Sequence, residues 1–270
     1  MGTGILRVEK KVPGMNETLV NVAQFQAFFL TFTRIMATII HVPVLAGRSI
    51  PNPIKIGLGL ILAIFMTPLN FSEFGRTGLD LVAFAGAIAR EIIIGTIAGY
   101  SAILAFGALS IAGNLIGLGS GFAAAQILNP ALEEQGTPLD QILVVTSFLL
   151  FLAINGHHSF LMGLQKSFEV LPINSALPTL AQEPLLQLTA SLIKIGVQLS
   201  FPLVATLLLT DLAMGLLARV APQIQVFFLG IPLKIGLGIF ALAIAIPALS
   251  PLMRTIFGGI APQMLLLLGK

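Results

Sequence analysis

Cysteine and tryptophan are absent from this 270-residue chain, tyrosine occurs once, as Tyr100, and charged residues make up only 9%. Without cysteine there are no disulfide staples, no thiol catalysis and no cysteine metal sites, and the redox compartment is left undetermined. An ordinary soluble domain is roughly a quarter charged, so so few charges cannot cover a soluble surface. The net charge of +3 is scattered, and with no basic run nothing suggests nucleic acid. Missing tryptophan and near-missing tyrosine also remove the aromatic belt that marks membrane interfaces. What fills the space is apolar: 56% of the residues are hydrophobic. They fall in recurring runs of about 20, the length that spans a hydrocarbon core about 30 Å thick. The expected fold class is all-α, a polytopic helical membrane-type protein.

Six or seven hydrophobic segments are expected, near 19–41, 54–69, 81–111, 139–163, 185–217, 232–247 and 251–268. Breakers mark their ends: Pro43, Pro51 and Pro53, then Pro68 with Asn70, Pro130 and Pro138, Pro172, Pro178 and Pro184, Pro222, and Pro247 with Pro251. The connectors near 70–80, 128–138 and 166–184 are too short for a separate catalytic module. Residues 1–14 hold three basic residues and no long apolar run, which does not fit a signal peptide. They read as a disordered extension with Met15 as the natural start, and 15–270 as one domain.

The octamers PIKIGLGL at 53–60 and PLKIGLGI at 232–239 match at six positions. Proline is tolerated in a first helical turn, and a lysine there can run its stem along apolar surface to reach water. Each octamer therefore reads as a helix entering a membrane. Alternating segments put Arg76, Lys166, Arg254 and Lys270 on one side and Arg48, Lys55, Arg219 and Lys234 on the other. That tie gives no orientation by loop charge. Helices packed against other protein, or drift in composition, would each produce it.

Arg34, Arg90, Glu91, Lys194 and Asp211 lie inside apolar runs. A charge at a helix centre costs on the order of 2.5–3.5 kcal/mol, so these residues should face protein or water, as interhelical pairs, snorkelling groups or a conduction path. A single helix over 185–218 would be about 50 Å long, with Pro202 kinking its middle and Lys194 and Asp211 near its ends. Gly95 and Gly99 form a small-residue pair at helical spacing, and Gly113, Gly117 and Gly121 repeat every fourth residue, with Gly119 and Ser120 between. Such a face lets another backbone approach closely. The same glycines weaken a helix by roughly 1 kcal/mol each relative to alanine, so a loop at membrane depth is the alternative.

Enzyme constellations are missing. His157 and His158 in NGHHSF lack a partner carboxylate at ligand spacing, His41 stands alone, and no phosphate-cradling loop occurs. The chain is expected to be no enzyme and to carry no cofactor or metal. Asn155, Gly156, His157 and Ser159 read as a helix-terminal polar cluster bonding neighbouring backbone.

Three stretches carry a resemblance: AGNLIGLGSGFAAAQILNP, FLLFLAINGHHSFLMGLQKSFEVLPI and LLLTDLAMGLLARVAPQIQVFFLGIPLKIGLGIF. In that order, from about Met15 to Phe257, the chain resembles the FliR family of the flagellar type III export gate, whose counterpart in virulence secretion is called SctT. The resemblance implies kinked helical hairpins, a FliP-like part joined to a FliQ-like part, in a bacterial inner-membrane complex at the flagellar basal body. It implies FliP-like and FliQ-like partners, associated FlhB- and FlhA-like components, and unfolded flagellar subunits as cargo. It also implies a plug in the glycine-rich stretch, carried here by Gly113, Asn114, Gly117, Gly119, Ser120, Gly121 and Phe122. The family often has glutamine and methionine at the places of Gly119 and Ser120, and aspartate at that of Asn129, so a smaller, looser plug is expected. Packing and charge contacts, within the chain or between subunits, fall to Arg34, Arg90, Glu91, Gly95, Gly99, Asn155, Gly156, His157, Lys194, Asp211, Pro222, Gln223 and Lys234. The competing reading is a stand-alone transporter or channel using Glu91, Lys194 and Asp211.

Overall fold

A computed structural model describes residues 15–47, 50–70, 78–122, 137–177, 182–223 and 225–269. The expected N-terminal extension, and the glycine-rich stretch beyond Phe122, lie outside them. The described residues form nine helices and no strand: α1 (Met15–Ile39), α2 (Pro43–Ala46), α3 (Asn52–Asn70), α4 (Leu81–Gly119), α5 (Pro138–Ala153), α6 (Gly156–Val170), α7 (Gln182–Val220), α8 (Val226–Gly258) and α9 (Ile260–Leu267). Four spans are long and apolar enough to cross a membrane, and α5 with α6, bent by 71° at their junction, make a fifth if counted as one.

The chain is arranged around α4, which packs against α1, α5, α7 and α9. Its sequence explains this. Small residues recur along the buried face at Ala87, Gly95, Ala98, Ala102, Ala105, Ala112 and Gly113, so neighbouring backbones can come close from several directions. Asp80 caps its N-terminus, accepting from the Ala83 N–H at 3.3 Å, and Thr137 does the same for α5 through the Asp140 N–H at 3.2 Å. Bulk enters mainly from the partners. Phe106 of α4, Phe151 of α5 and Phe257 of α8 meet edge-on or tilted with ring centroids 4.9–5.5 Å apart, which ties three helices at one point. A second cluster, with Leu30, Ile35 and Ile39 of α1, Ala63 of α3, Ala87 of α4 and Leu164 and Phe168 of α6, closes the other side.

Several expected boundaries differ. The segment at 81–111 runs on to Gly119, so the glycine repeat up to that point is helix rather than loop. The segment at 139–163 is broken at Ile154 and Asn155, where Asn155 takes the left-handed conformation with φ 56°; asparagine is one of the few side chains that tolerates it. Pro247 and Pro251 do not break a helix, and α8 carries both along with Pro232. Proline inside an apolar helix is tolerated where neighbouring groups satisfy the carbonyl freed four residues earlier. Pro202 likewise lies within α7. Pro53 does sit in the first turn of α3, but Pro232 lies six residues into α8, so only the first octamer begins a helix.

Candidate functional site

Two charge pairs and two glycine faces organise the molecule. Arg34 on α1 and Glu91 on α4 are fully buried, and Arg34 Nε donates to Glu91 Oε2 at 2.5 Å. Arg34 Nη1 also donates to the carbonyls of Ser167, at 3.0 Å, and Leu171, at 2.7 Å. The guanidinium carbon stands 4.3 Å from the centroid of the Phe168 ring. Glu91 Oε1 accepts the Asn174 N–H at 3.3 Å. Two ions this deep are stable only when paired and hydrogen-bonded, and here the partners come from both charges and from the backbone that ends α6. Of the guanidinium nitrogens, Nη2 has no hydrogen-bond partner among the described residues.

Above the pair, Gly95 and Gly99 bring α1 and α4 into backbone contact. A Cβ on Gly95 would lie 2.6 Å from the Arg34 carbonyl oxygen and 2.7 Å from Ala37 Cβ; one on Gly99 would lie 2.8 Å from the Thr38 carbonyl oxygen. Further along α4, Gly113 seats Asp140, whose Cα would be 2.8 Å from an added Cβ, and Gly117 seats the Thr137 side chain. These glycines therefore meet the first turn of α5. Gly119 faces Leu207 of α7. Asn114 points outward and donates to the Ser110 carbonyl at 2.9 Å. The helix ends at Ser120, which is buried and bonds the Gly117 carbonyl at 2.8 Å, and Gly121 turns the chain at φ 85°. Phe122 is half-buried against the core.

The long hairpin of α7 and α8 turns at exposed Pro222 and Gln223. Lys234 Nζ lies 2.7 and 2.9 Å from the two oxygens of Asp211 across it. Beneath the pair is a cleft of about 410 Å³ lined by Gly121, Met214, Gly215, Ala218, Gly230 and Ile231, among others. Lys194 stands exposed on α7, 17 residues from Asp211 and therefore about 26 Å along the helix. Arg90 turns away from Glu91 and folds back on its own helix, bonding the Gly86 carbonyl at 3.3 Å. Glu91, Lys194 and Asp211 thus do not converge. His157 and His158 lie with ring centroids 4.7 Å apart, and no three metal-ligating side chains gather among the described residues. Asn155, at the start of α6, acts through its backbone: its carbonyl accepts from His158 N–H at 3.0 Å, while its side chain makes no cap bond. Gly156 lies against Phe151 at the same bend.

Neither charge pairing was read from the sequence. For Arg34 and Glu91, 57 residues apart, no local signal exists. For Asp211 and Lys234 one does: they sit nearly symmetrically about Gln223, so a hairpin turning there brings them level.

Burial separates the two parts. Of the most apolar stretch of α4, 61% is buried; of those in α7 and in α8, 11%. The fold and its charge pairs define an all-helical membrane-type protein with a packed N-terminal bundle and an apolar hairpin left largely uncovered. The chain matches the family described as bacterial export proteins, family 1, over residues 25–260. It is 36% identical to the flagellar biosynthetic protein FliR of Pectobacterium carotovorum over 232 residues, 85% of this chain and 88% of that protein. To the FliR of Bacillus subtilis it is 30% identical over 239 residues, 86% and 91% of the two chains. The Yop proteins translocation protein T of Yersinia pestis is 27% identical over 221 residues, 80% and 84% of the two. The chain belongs to this family of bacterial export proteins, and is a component of an export apparatus.

Proposed function

We propose that this chain is a core subunit of the flagellar type III export gate in the bacterial inner membrane. It assembles with FliP-like and FliQ-like subunits, alongside FlhB- and FlhA-like components, around the path taken by unfolded flagellar subunits. The observation that carries this reading is the uncovered hairpin. At 39 residues α7 is about 58 Å long, nearly twice the hydrocarbon thickness, and Phe201 and Phe240 stand 67% and 65% exposed. Lipid can cover only part of so long an apolar surface; sister helices can cover the rest. The identities above, spread over most of each relative's length, support the flagellar reading.

The chain's part in gating is passive: close packing blocks ions, and partners supply the energy that displaces it. The plug is formed by the segment that begins where α4 ends. Gly113, Asn114, Gly117 and Gly119 belong to the helix that leads into it, and Ser120, Gly121 and Phe122 begin it. Co-expression with FliP-like and FliQ-like subunits is expected to give a stable complex in which the hairpin resists protease; a chain that purifies alone and moves a solute without companions would refute the reading. Removing residues 120–122 from an assembled complex should raise its ion leak, and an unchanged leak would set the plug assignment aside.

A further inference from the structure

The segment that follows α6 is held by side chains from far away in sequence. Leu171 is the C-cap of α6, which has no basic residue of its own in its last turn. The last carbonyls of a helix lack intrahelical partners and carry the negative end of its dipole. Arg34, from α1, supplies the missing cation: it bonds the carbonyl of Leu171 and adds a second donor to that of Ser167, which also takes the Leu171 N–H. Glu91, from α4, takes the N–H of Asn174, itself in the left-handed conformation at φ 65°. Between them Ile173 is buried, only 5% exposed.

A joint between α1 and α4 would not need this pair. Gly95 and Gly99 already bring those helices into backbone contact, and a buried ion pair is often no better than well-packed apolar side chains at holding two helices together. Apolar side chains cannot, however, hydrogen-bond the Leu171 carbonyl and the Asn174 N–H of a third element. We propose that Arg34 and Glu91 are positioning residues that clasp residues 171–174, fixing where α6 ends and where the chain departs toward the α7 and α8 hairpin. The clasp is a property of the chain itself and does not depend on the export-gate reading.

The absence of native cysteine makes the test clean. In the full-length chain in detergent, Ile173→Cys places a single thiol in the clasped segment, and Ser101→Cys places one in the fully buried face of α4. Each is combined with Arg34→Lys, Arg34→Met or Glu91→Gln, and maleimide reactivity is followed. Lysine keeps a cation beside Glu91 but lacks the planar fork that bonds several acceptors. Loss of a charge-assisted bond should open the segment locally, raising reactivity at position 173 by about tenfold or more and leaving position 101 within about twofold. Equal rises at both positions would mean general loosening, and no rise at 173 would mean no clasp; either overturns the proposal. If Arg34→Met does not fold, Arg34→Lys and Glu91→Gln still decide it.

Discussion

Replacing Gly95 and Gly99 by alanine tests whether α1 and α4 meet through backbone. An alanine in a helix interior ordinarily gains about 1 kcal/mol over glycine. Here each added Cβ would come within 2.6–2.8 Å of a carbonyl oxygen of α1, and a carbonyl in a helix cannot rotate away. Restoring ordinary contact requires the helices to part by roughly 0.6–0.8 Å, and overpacking of this kind costs typically 1–3 kcal/mol per site. Over its two sites the double variant should therefore lose on the order of 2 kcal/mol net. Gly57 on α3 and Gly236 on α8 supply the internal control, since a Cβ there meets nothing within 4 Å; alanine at either should leave stability level or raise it by up to about 1 kcal/mol. In thermal unfolding of the detergent-solubilised chain, about 2–4 °C is expected per kcal/mol at this size, so Gly95→Ala/Gly99→Ala should melt several degrees lower while Gly57→Ala does not. A double variant that melts as high as the controls would refute the close approach.

In a double-mutant cycle Arg34→Met or Glu91→Met alone should cost roughly 3–5 kcal/mol, because each strands a buried partner, whereas Arg34→Met/Glu91→Met should cost less than the sum; chemical unfolding in mixed detergent measures this. Asp211→Asn should cost no more than about 1 kcal/mol, because Asp211 is half exposed, and that loss should shrink further in high salt. At the bend between α5 and α6, Asn155→Gly should be tolerated, while Asn155→Val should cost about 1–2 kcal/mol by forcing a β-branched residue into the left-handed region, read as a drop in melting temperature.

How far the sequence reveals this molecule depends on whether the deciding force is local. The first turn of α3 and the close face at Gly95 and Gly99 follow from residue type and spacing alone. The end of the helix before Asn155 was also legible, because Asn-Gly is a strong turn signal, but the apolar run on either side masks it. Proline misleads at Pro232, Pro247 and Pro251 because its cost depends on whether the carbonyl four residues earlier finds another partner, which packing decides and local sequence does not. The glycine repeat reads equally as a helix face or a loop until its partners are known. Thr137 and Asp140, placed by an unrelated part of the chain, decide for a helix at Gly113 and Gly117. The Arg34 cluster gathers residues from α1, α4 and α6, and no periodicity encodes such a meeting.

The central claim is that other subunits cover the α7 and α8 hairpin. A photo-crosslinking residue placed at Phe201, Leu212 or Phe240 and activated in membranes, with FliP-like and FliQ-like proteins co-expressed, tests it most directly. The account predicts adducts to those proteins at most of these positions, in complexes that survive purification. Adducts to lipid alone at all three, with the partners present and folded, would contradict it.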